Sequence, residues 1–227
     1  MPSHQTIKLL VFDLDGTLID SRLDLAFSVN ATLRSLGCKS LGEDQIISFV
    51  GDGASELLQR SLLATGMPPD ETNTQLPLTL KLFLEHYLDH CLDRTVLYPG
   101  ALDLLNNSSR YKKAILTNKP ILPTQRILAG MGIRQHFGEV LGGDGPHPKK
   151  PDPTGLAYIL SSLEIASPLE SVLIGDSPQD FLTAQALGCP FIAFLEGLGN
   201  AEELKAMADP RLAITHLDQI PQKLALL

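Results

Sequence analysis

The acidic run DLDGT at residues 13–17 carries the side chains that are best placed for chemistry. It follows the apolar stretch 7–12, which has the composition of a buried parallel strand. Residues i and i+2 of an extended segment point the same way, so Asp13 and Asp15 can face one site beyond the end of that strand. Gly16 permits a sharp turn whose N–H groups can hold an anion. Taken alone, the run is equally compatible with a solvated acidic turn.

Three later segments place further polar groups at predicted strand or helix ends. These groups are Thr117, Asn118, Lys150, Asp176 and Asp180. If these ends meet the first strand, three or four carboxylates share a site with a lysine. Clustered carboxylates repel one another unless a cation compensates, oxygen ligands favour Mg²⁺ over Zn²⁺, and a lysine suits a phosphate. Lys149 is a rival to Lys150, but only Lys150 directly precedes a proline.

The elements around these residues alternate between strand and helix. Apolar, strand-like runs recur at 114–117, 172–175 and 191–194, and helical patterns cover 121–131, 154–163 and 179–187. This alternation predicts an α/β fold with a Rossmann-like parallel sheet and helices on both faces.

The stretch 18–94 interrupts the alternation and reads as helices only. Leu23, Phe27 and Leu33 approximate one face of a first helix, which Asp20 or Ser21 can cap. A second helix is predicted over 54–63 and a third over 76–92. We therefore expect a core formed by residues 1–17 and 95–227, with residues 18–94 inserted as a helical-bundle cap.

Composition excludes several classes of protein. The chain has 227 residues with 18 Lys plus Arg and 26 Asp plus Glu, and its net charge of −8 argues against binding to nucleic acid or to an anionic membrane. Three widely spaced cysteines form neither a disulfide framework nor a zinc motif and suggest a cytoplasmic location. We also expect no signal peptide and no membrane helix.

Together the motifs resemble those of the haloacid dehalogenase-like superfamily of phosphotransferases. DLDGT at 13–17, Thr117-Asn118, Lys150-Pro151 and GDSPQD at 175–180 occur in the order of that family's four motifs. The helical insert resembles the family's mobile cap, and FVGDGA at 49–54 with LLQR at 57–60 is similar to the phosphoglycolate phosphatase branch. The resemblance implies a magnesium-dependent phosphatase for a small phosphorylated metabolite, with 2-phosphoglycolate as the expected substrate.

The resemblance also implies roles for single residues in the core. Asp13 would attack phosphorus and form an aspartyl phosphate, and Asp15 would act as general acid and then as general base. Phosphate would be held by Thr117, Asn118 and Lys150, and Mg²⁺ by Asp13, Asp176 and the backbone carbonyl of Asp15. Behind these groups we expect Thr17, Ser177 and Asp180, the last as an outer metal ligand or as a group that orients Lys150.

In the insert, the expected specificity residues are Gly51, Asp52, Gly53 and Arg60. A glycine-flanked turn before a helix lets backbone N–H groups approach a small anion, so this turn is expected nearest the substrate. Asp52 has the wrong charge for a substrate carboxylate. The helix N-terminus, Arg60 or a backbone contact would have to bind it.

Other functions on the same scaffold stay open. A pyrophosphatase or a nucleotide monophosphatase would use the same core motifs. A hydrolytic dehalogenase needs only the nucleophile, so the presence of Asp15 argues against it. An inactive binding module would lack a motif residue, whereas all of them are present. A phosphosugar mutase would need a strongly basic cap segment, and the sequence of the insert shows none.

Overall fold

Strands and helices alternate along residues 6–227, the part of the chain that the computed structural model describes. The strands are β1 (Leu9–Phe12), β2 (Ile19–Asp20), β3 (Val96–Leu97), β4 (Lys112–Leu116), β5 (Glu139–Leu141), β6 (Ser171–Gly175), β7 (Phe191–Phe194) and β8 (Ala213–Ile214). The α-helices are α1 (Arg22–Ser35), α2 (Glu43–Ile47), α3 (Ala54–Ala64), α4 (Pro69–His90), α5 (Ala101–Asn107), α6 (Ile121–Gly130), α7 (Thr154–Ser162), α8 (Pro178–Leu187), α9 (Ala201–Met207) and α10 (Ile220–Leu224). The first five residues of the predicted core lie outside the described residues.

Six of the strands form one parallel sheet in the order β5-β4-β1-β6-β7-β8. The central strand β1 has β4 on one side and β6 on the other, with Phe12 opposite Ile115 and Ile174. The residues that follow these three strands therefore meet at one edge of the sheet, where open α/β sheets bind ligands.

Helices cover both faces of this sheet. Leu10 and Phe12 of β1 pack into one apolar core with α5, α6 and α10, and Leu9 and Val11 pack into a second core with α7, α8 and α9. This arrangement explains why consecutive positions of β1 are apolar and fully buried. The predicted fold class, an α/β fold with a parallel sheet and helices on both faces, is confirmed.

The chain between β2 and β3 forms a helical segment, α1–α4. The two short strands pair antiparallel, with Ile19 opposite Leu97, and make a ribbon where the segment leaves and rejoins the sheet. The expectation that residues 18–94 are helical throughout missed β2. Two residues of strand are too few to show a period in the sequence.

The buried face of α1 differs from the predicted one. Leu23 and Phe27 are 37% and 40% exposed, whereas Leu25 and Val29 are buried. Asp24 is also fully buried on that inner side. Its carboxylate accepts hydrogen bonds from distant backbone groups, and a charged residue at a core position hides the helical pattern of the sequence.

The longest helix, α4, begins seven residues before its predicted start. Pro69 occupies its first turn, where the missing N–H of a proline costs nothing, and Pro77 lies inside it. No helix in residues 6–227 is long and apolar enough to cross a membrane. The three cysteines are free thiols.

Candidate active site

The carboxyl end of β1 positions Asp13 and Asp15. The N–H of Asp13 donates to the carbonyl of Ile174 over 2.9 Å, so its backbone still belongs to the sheet. Gly16 has a φ of 83°, and a Cβ at this position would collide with the carboxylate of Asp176. Glycine is therefore required here both for the backbone turn and for the close approach of the acidic groups.

Lys150 lies beneath Asp13 in the interior of the site. Its Nζ is 2.8 Å from Asp13 Oδ1 and 2.6 Å from Asp180 Oδ1. Burial alone would lower the pKa of Lys150, but the two carboxylates outweigh it and the pKa is raised. The lysine therefore stays charged, and its ammonium is held between Asp13 and Asp180.

Asp180 also organises the start of α8. Its carboxylate accepts from the N–H and the hydroxyl of Ser177, while the Ser177 hydroxyl accepts from the Asp180 N–H in a capping box. Both oxygens of Asp180 are thus bonded within the protein. Ser177 and Asp180 therefore bind each other, and Asp180 also binds Lys150.

Asp176 follows β6 and is held by three donors. The hydroxyl of Thr17 donates to Oδ1 over 3.1 Å, and the N–H groups of Leu198 and Gly199 donate to Oδ2 over 2.8 and 2.9 Å. These contacts fix the carboxylate beside Asp13. Sequence reasoning did not find the loop at 197–199, since nothing in its composition points to a role.

Thr117 and Asn118 follow β4, but their side chains differ in position. The side-chain amide of Asn118 accepts from the Lys150 N–H over 2.8 Å and donates to the Lys150 carbonyl and to the Gly51 carbonyl, each over 3.0 Å. Asn118 therefore holds the backbone of the lysine and contacts the helical segment. Thr117 is 4% exposed and lines the cavity described below.

Lys119 is a site residue that sequence reasoning missed. Its Nζ lies 3.0 and 2.9 Å from the two carboxylate oxygens of Asp15 and 2.7 Å from the hydroxyl of Tyr87 on α4. Ser21 also donates to Asp15, over 2.5 Å. Only its place in the sequence could have indicated Lys119, because it directly follows Thr117 and Asn118 at the end of β4.

Carboxylates outnumber lysines in this site by two. The four carboxylates are Asp13, Asp15, Asp176 and Asp180, against Lys119 and Lys150. Burial raises the pKa of Asp176 to about 8, and the charges of Asp13 and Asp180 add to the effect. Burial also raises the pKa of Asp13 to about 6, although Lys150 opposes the change.

This imbalance fits a magnesium ion. One carboxylate oxygen from each of Asp13, Asp176 and Asp180 lies within 4.8 Å of the others. Asp13 Oδ1 is buried and lies 2.8 Å from Lys150 Nζ. A surplus of two carboxyl groups over lysines and a set of oxygen ligands suit a hard divalent cation.

The turn before α3 brings the helical segment onto the sheet edge. Asp52 accepts from Gln179 on α8 over 2.6 Å, and its other oxygen pairs with Arg60. Lys149 Nζ lies 2.9 Å from Glu56 Oε2. Of the four predicted specificity residues, Gly51 and Gly53 line the cavity, whereas Asp52 and Arg60 do not.

A cavity separates the sheet edge from the helical segment. Asp13, Asp15 and Asp176 lie on the side of the sheet, and Leu57 and Phe83 on the side of the helices. The centres of water-sized molecules can reach about 60 Å³ of it. The arrangement presents the carboxyl groups of Asp13, Asp15 and Asp176 and the ammonium of Lys119 to a small ligand.

The sequence matches a family model described as haloacid dehalogenase-like hydrolase over residues 10–194. The chain belongs to the haloacid dehalogenase-like hydrolases. The enzyme class predicted from the four motifs, a phosphatase of this family, is confirmed.

Relatives and solved structures agree with this assignment. A phosphoglycolate phosphatase of Colwellia psychrerythraea is 38% identical over 88% of this chain and 89% of its own length. One of Vibrio parahaemolyticus is 31% identical over 98% of each chain. The crystal structure of a predicted phosphoglycolate phosphatase from Haemophilus somnus superimposes with a TM-score of 0.87 at 27% identity, covering 98% of this chain and 99% of the other.

Proposed function

We propose that this haloacid dehalogenase-like hydrolase is a magnesium-dependent phosphatase that hydrolyses 2-phosphoglycolate through an aspartyl phosphate. One observation carries the proposal. Asp13 and Asp15 line a cavity at the carboxyl end of β1, with Asp176 beside them and the charged Lys150 2.8 Å from Asp13. The names of the relatives supply the choice of substrate.

In the first step, a carboxylate oxygen of Asp13 attacks phosphorus and the bond from phosphorus to the ester oxygen breaks. Thr117, backbone N–H groups of the site and the one N–H of Lys150 that Asp13 and Asp180 leave free hold the phosphoryl oxygens, which lets an anionic nucleophile approach. Asp15 gives its proton to the departing alcohol oxygen. The product of this step is an acyl phosphate on Asp13.

In the second step, a water molecule attacks phosphorus of the acyl phosphate and gives a proton to Asp15. The bond between Asp13 and phosphorus breaks, and inorganic phosphate leaves with Asp13 ionised again. A covalent intermediate divides a very slow reaction into two easier ones. Asn118 takes part indirectly, since it fixes the backbone of Lys150.

Magnesium would be held by Asp13, Asp176 and the backbone carbonyl of Asp15. When bound, it supplies positive charge that neutralises a phosphoryl oxygen and lessens the repulsion between nucleophile and substrate. Thr17 and the N–H groups of Leu198 and Gly199 keep Asp176 in position for that role.

The helical segment acts in this proposal as a cap, with the core formed by residues 1–17 and 95–227. In the closed arrangement it excludes water from the first step. The small volume of the cavity favours a substrate of few atoms, and pyrophosphate and nucleoside monophosphates are the alternatives. The cytoplasmic location expected from cysteine usage, and the absence of nucleic-acid and membrane partners, stay predictions.

The experiment measures kcat/KM for 2-phosphoglycolate, pyrophosphate, nucleoside monophosphates and an aryl phosphate, with Mg²⁺ and after chelation. We expect 2-phosphoglycolate to rank first and chelation to abolish turnover. Rapid acid quench with labelled substrate should trap a hydroxylamine-sensitive phosphoenzyme. A lower rank than pyrophosphate or nucleotides would reject the substrate, and full activity after exhaustive chelation would reject the metal.

Two near-isosteric variants test the carboxylate roles. Asp13→Asn removes the charged nucleophile, so both turnover and the trapped phosphoenzyme should disappear. Asp15→Asn should impair turnover, since an amide cannot donate a proton and then recover one. Normal turnover in either variant would contradict the role assigned to that residue. Circular dichroism checks that both variants fold.

A further inference from the structure

Lys119 is the one cation among the described residues that line the active-site cavity. Lys150 lies behind Asp13 and is occupied by Asp13 and Asp180. The wall of the cavity opposite the sheet edge is apolar, with Leu57 and Phe83 exposed to it. An anionic group on the far end of a substrate therefore has Lys119 as its charged partner.

Two contacts hold the Lys119 ammonium in place. Its side chain is only 3% exposed, and a buried charge is costly unless it is paired and hydrogen-bonded. The carboxylate of Asp15 and the hydroxyl of Tyr87 supply those partners and together can take its three N–H donors. Since Tyr87 belongs to α4, the ammonium is set in position only when the helical segment lies over the sheet edge.

Other cations near the cavity are committed elsewhere. Arg60 pairs with Asp52 and donates to the Phe49 carbonyl, and Lys149 binds Glu56. Neither Arg60 nor Lys149 lines the cavity. Arg60, one of the three groups expected from the sequence to bind a substrate carboxylate, contacts the turn before α3 in this structure.

The position of Lys119 relative to Asp15 sets its distance from the substrate. In the proposed function Asp15 faces the ester oxygen that leaves, and in 2-phosphoglycolate a single CH₂ group separates that oxygen from the carboxylate. A cation in direct contact with Asp15 is therefore next to the place where the carboxylate must lie. We propose, resting on the proposed function, that Lys119 binds the substrate carboxylate. It thereby selects phosphorylated 2-hydroxy acids over phosphate esters whose alcohol part carries no charge.

Binding involves an exchange of partners at Lys119. The substrate carboxylate takes the place of one of the two Asp15 oxygens at the ammonium, while Tyr87 keeps its contact. The released Asp15 oxygen is then directed at the leaving oxygen. A phosphate ester without a carboxylate lacks a group that could displace Asp15, so it binds without this rearrangement.

The test compares two substrates that differ only at the recognised group. In 2-hydroxyethyl phosphate a CH₂OH replaces the carboxylate of 2-phosphoglycolate. We expect Lys119→Met to lower the ratio of kcat/KM for 2-phosphoglycolate over 2-hydroxyethyl phosphate by about 10- to 100-fold, the range for loss of a charged hydrogen-bond partner. The matched control is Lys149→Met, which should change both substrates by the same factor and leave the ratio intact.

Inhibitor binding gives a second readout that needs no turnover. 3-Phosphonopropionate replaces the ester oxygen of 2-phosphoglycolate by CH₂, and propylphosphonate lacks its carboxylate. Dissociation constants for the pair, read by thermal shift, should differ strongly in the wild type and little in the Lys119 variant. Lys119→Gln keeps hydrogen-bond donors toward Asp15 and Tyr87 without the charge, and it replaces Lys119→Met if that variant fails to fold.

The outcomes separate this inference from the proposed function. If the wild type prefers 2-phosphoglycolate and the Lys119 variants keep that preference, the inference is overturned and the proposed function stands. If both substrates lose the same factor, Lys119 acts only by positioning Asp15, which also overturns it. If the wild type shows no preference for the carboxylate, the proposed substrate fails, and the inference fails with it.

Discussion

Gln179, at the second position of α8, donates a hydrogen bond of 2.6 Å to Asp52, which lies just before α3. The bond joins α8, which follows the loop that carries Asp176, to the helical segment that covers the site. Arg60 holds the other oxygen of Asp52, so the acceptor is fixed from its own side. The proposed cap is therefore hydrogen-bonded to the core close to the carboxylates that are proposed to bind magnesium.

Removing the hydrogen bond from Gln179 to Asp52 should weaken closure of the helical segment over the site without lowering the stability of the fold. We expect Gln179→Ala to lower kcat/KM for 2-phosphoglycolate by about 5-fold, since a hydrogen bond to a partly exposed charged group has a modest net value. The melting temperature should stay within about 2 °C of wild type. Gln185→Ala, an exposed glutamine on the same helix, is the control. Equal activities of the two variants would show that closure does not use this bond.

Local patterns made the core site predictable. β1 ends on the acidic run, and its neighbours in the sheet end on Thr117 and Asp176, so the motif residues had to meet once the sheet was parallel. The contact between Lys119 and Tyr87 depends on how α4 lies over the sheet edge, and no local pattern encodes that packing. The same limit hid the inward face of α1, where Asp24 binds groups about seventy residues away.

The acidic cluster should make the effect of magnesium depend on pH. Burial raises the pKa of Asp176 to about 8 and of Asp13 to about 6, both above the ordinary value of 3.8. A raised carboxyl pKa contributes stability below the ordinary value and loses it as pH rises through the folded-state value. The metal-free protein should therefore lose stability as pH rises from about 4 to about 8.

Magnesium binds the ionised carboxylates, so its stabilising effect should grow over the same interval. The measurement is the increase in melting temperature on adding Mg²⁺, taken at about pH 6 and at about pH 8. Asp176→Asn should remove most of the increase and flatten the pH dependence, whereas Asp103→Asn, at an exposed position, should leave both unchanged. An equal increase at both pH values in the wild type would contradict the expected coupling.

A substitution in the turn at Gly53 should weaken substrate binding under the helical segment. Gly53 has a φ of 95°, and a Cβ there would lie 2.9 Å from Lys149 Nζ and 3.1 Å from the Asn118 carbonyl oxygen. Gly53→Val must push the turn away from the core, so KM for 2-phosphoglycolate should rise by about 10-fold or more. An aryl phosphate that reacts with the segment open should be affected far less.

Gly66→Val separates backbone strain from the close contact. Gly66 has a φ of 96°, but a Cβ there would meet nothing within 4 Å. This variant should lose similar stability and keep its KM. An equal loss on both substrates in Gly53→Val would mean that the turn is only structural.

The buried carboxylate of Asp24 should stabilise the junction between the sheet and the helical segment. It is 0% exposed and accepts from the N–H groups of Arg94 and Thr95 over 2.9 and 2.8 Å and from the Thr95 hydroxyl over 2.8 Å. Asp24→Ala leaves these donors without a partner. Because buried donors lose both the bond and their hydration, we expect the free energy of unfolding to fall by about 2–4 kcal/mol.

Urea denaturation followed by circular dichroism measures this loss, and Asp103→Ala on the exposed side of α5 should change the free energy of unfolding by less than about 0.5 kcal/mol. Asp24→Asn keeps one carbonyl oxygen as acceptor, so its loss should lie between the two, and a loss as small as that of Asp103→Ala would show that the junction does not depend on the charge.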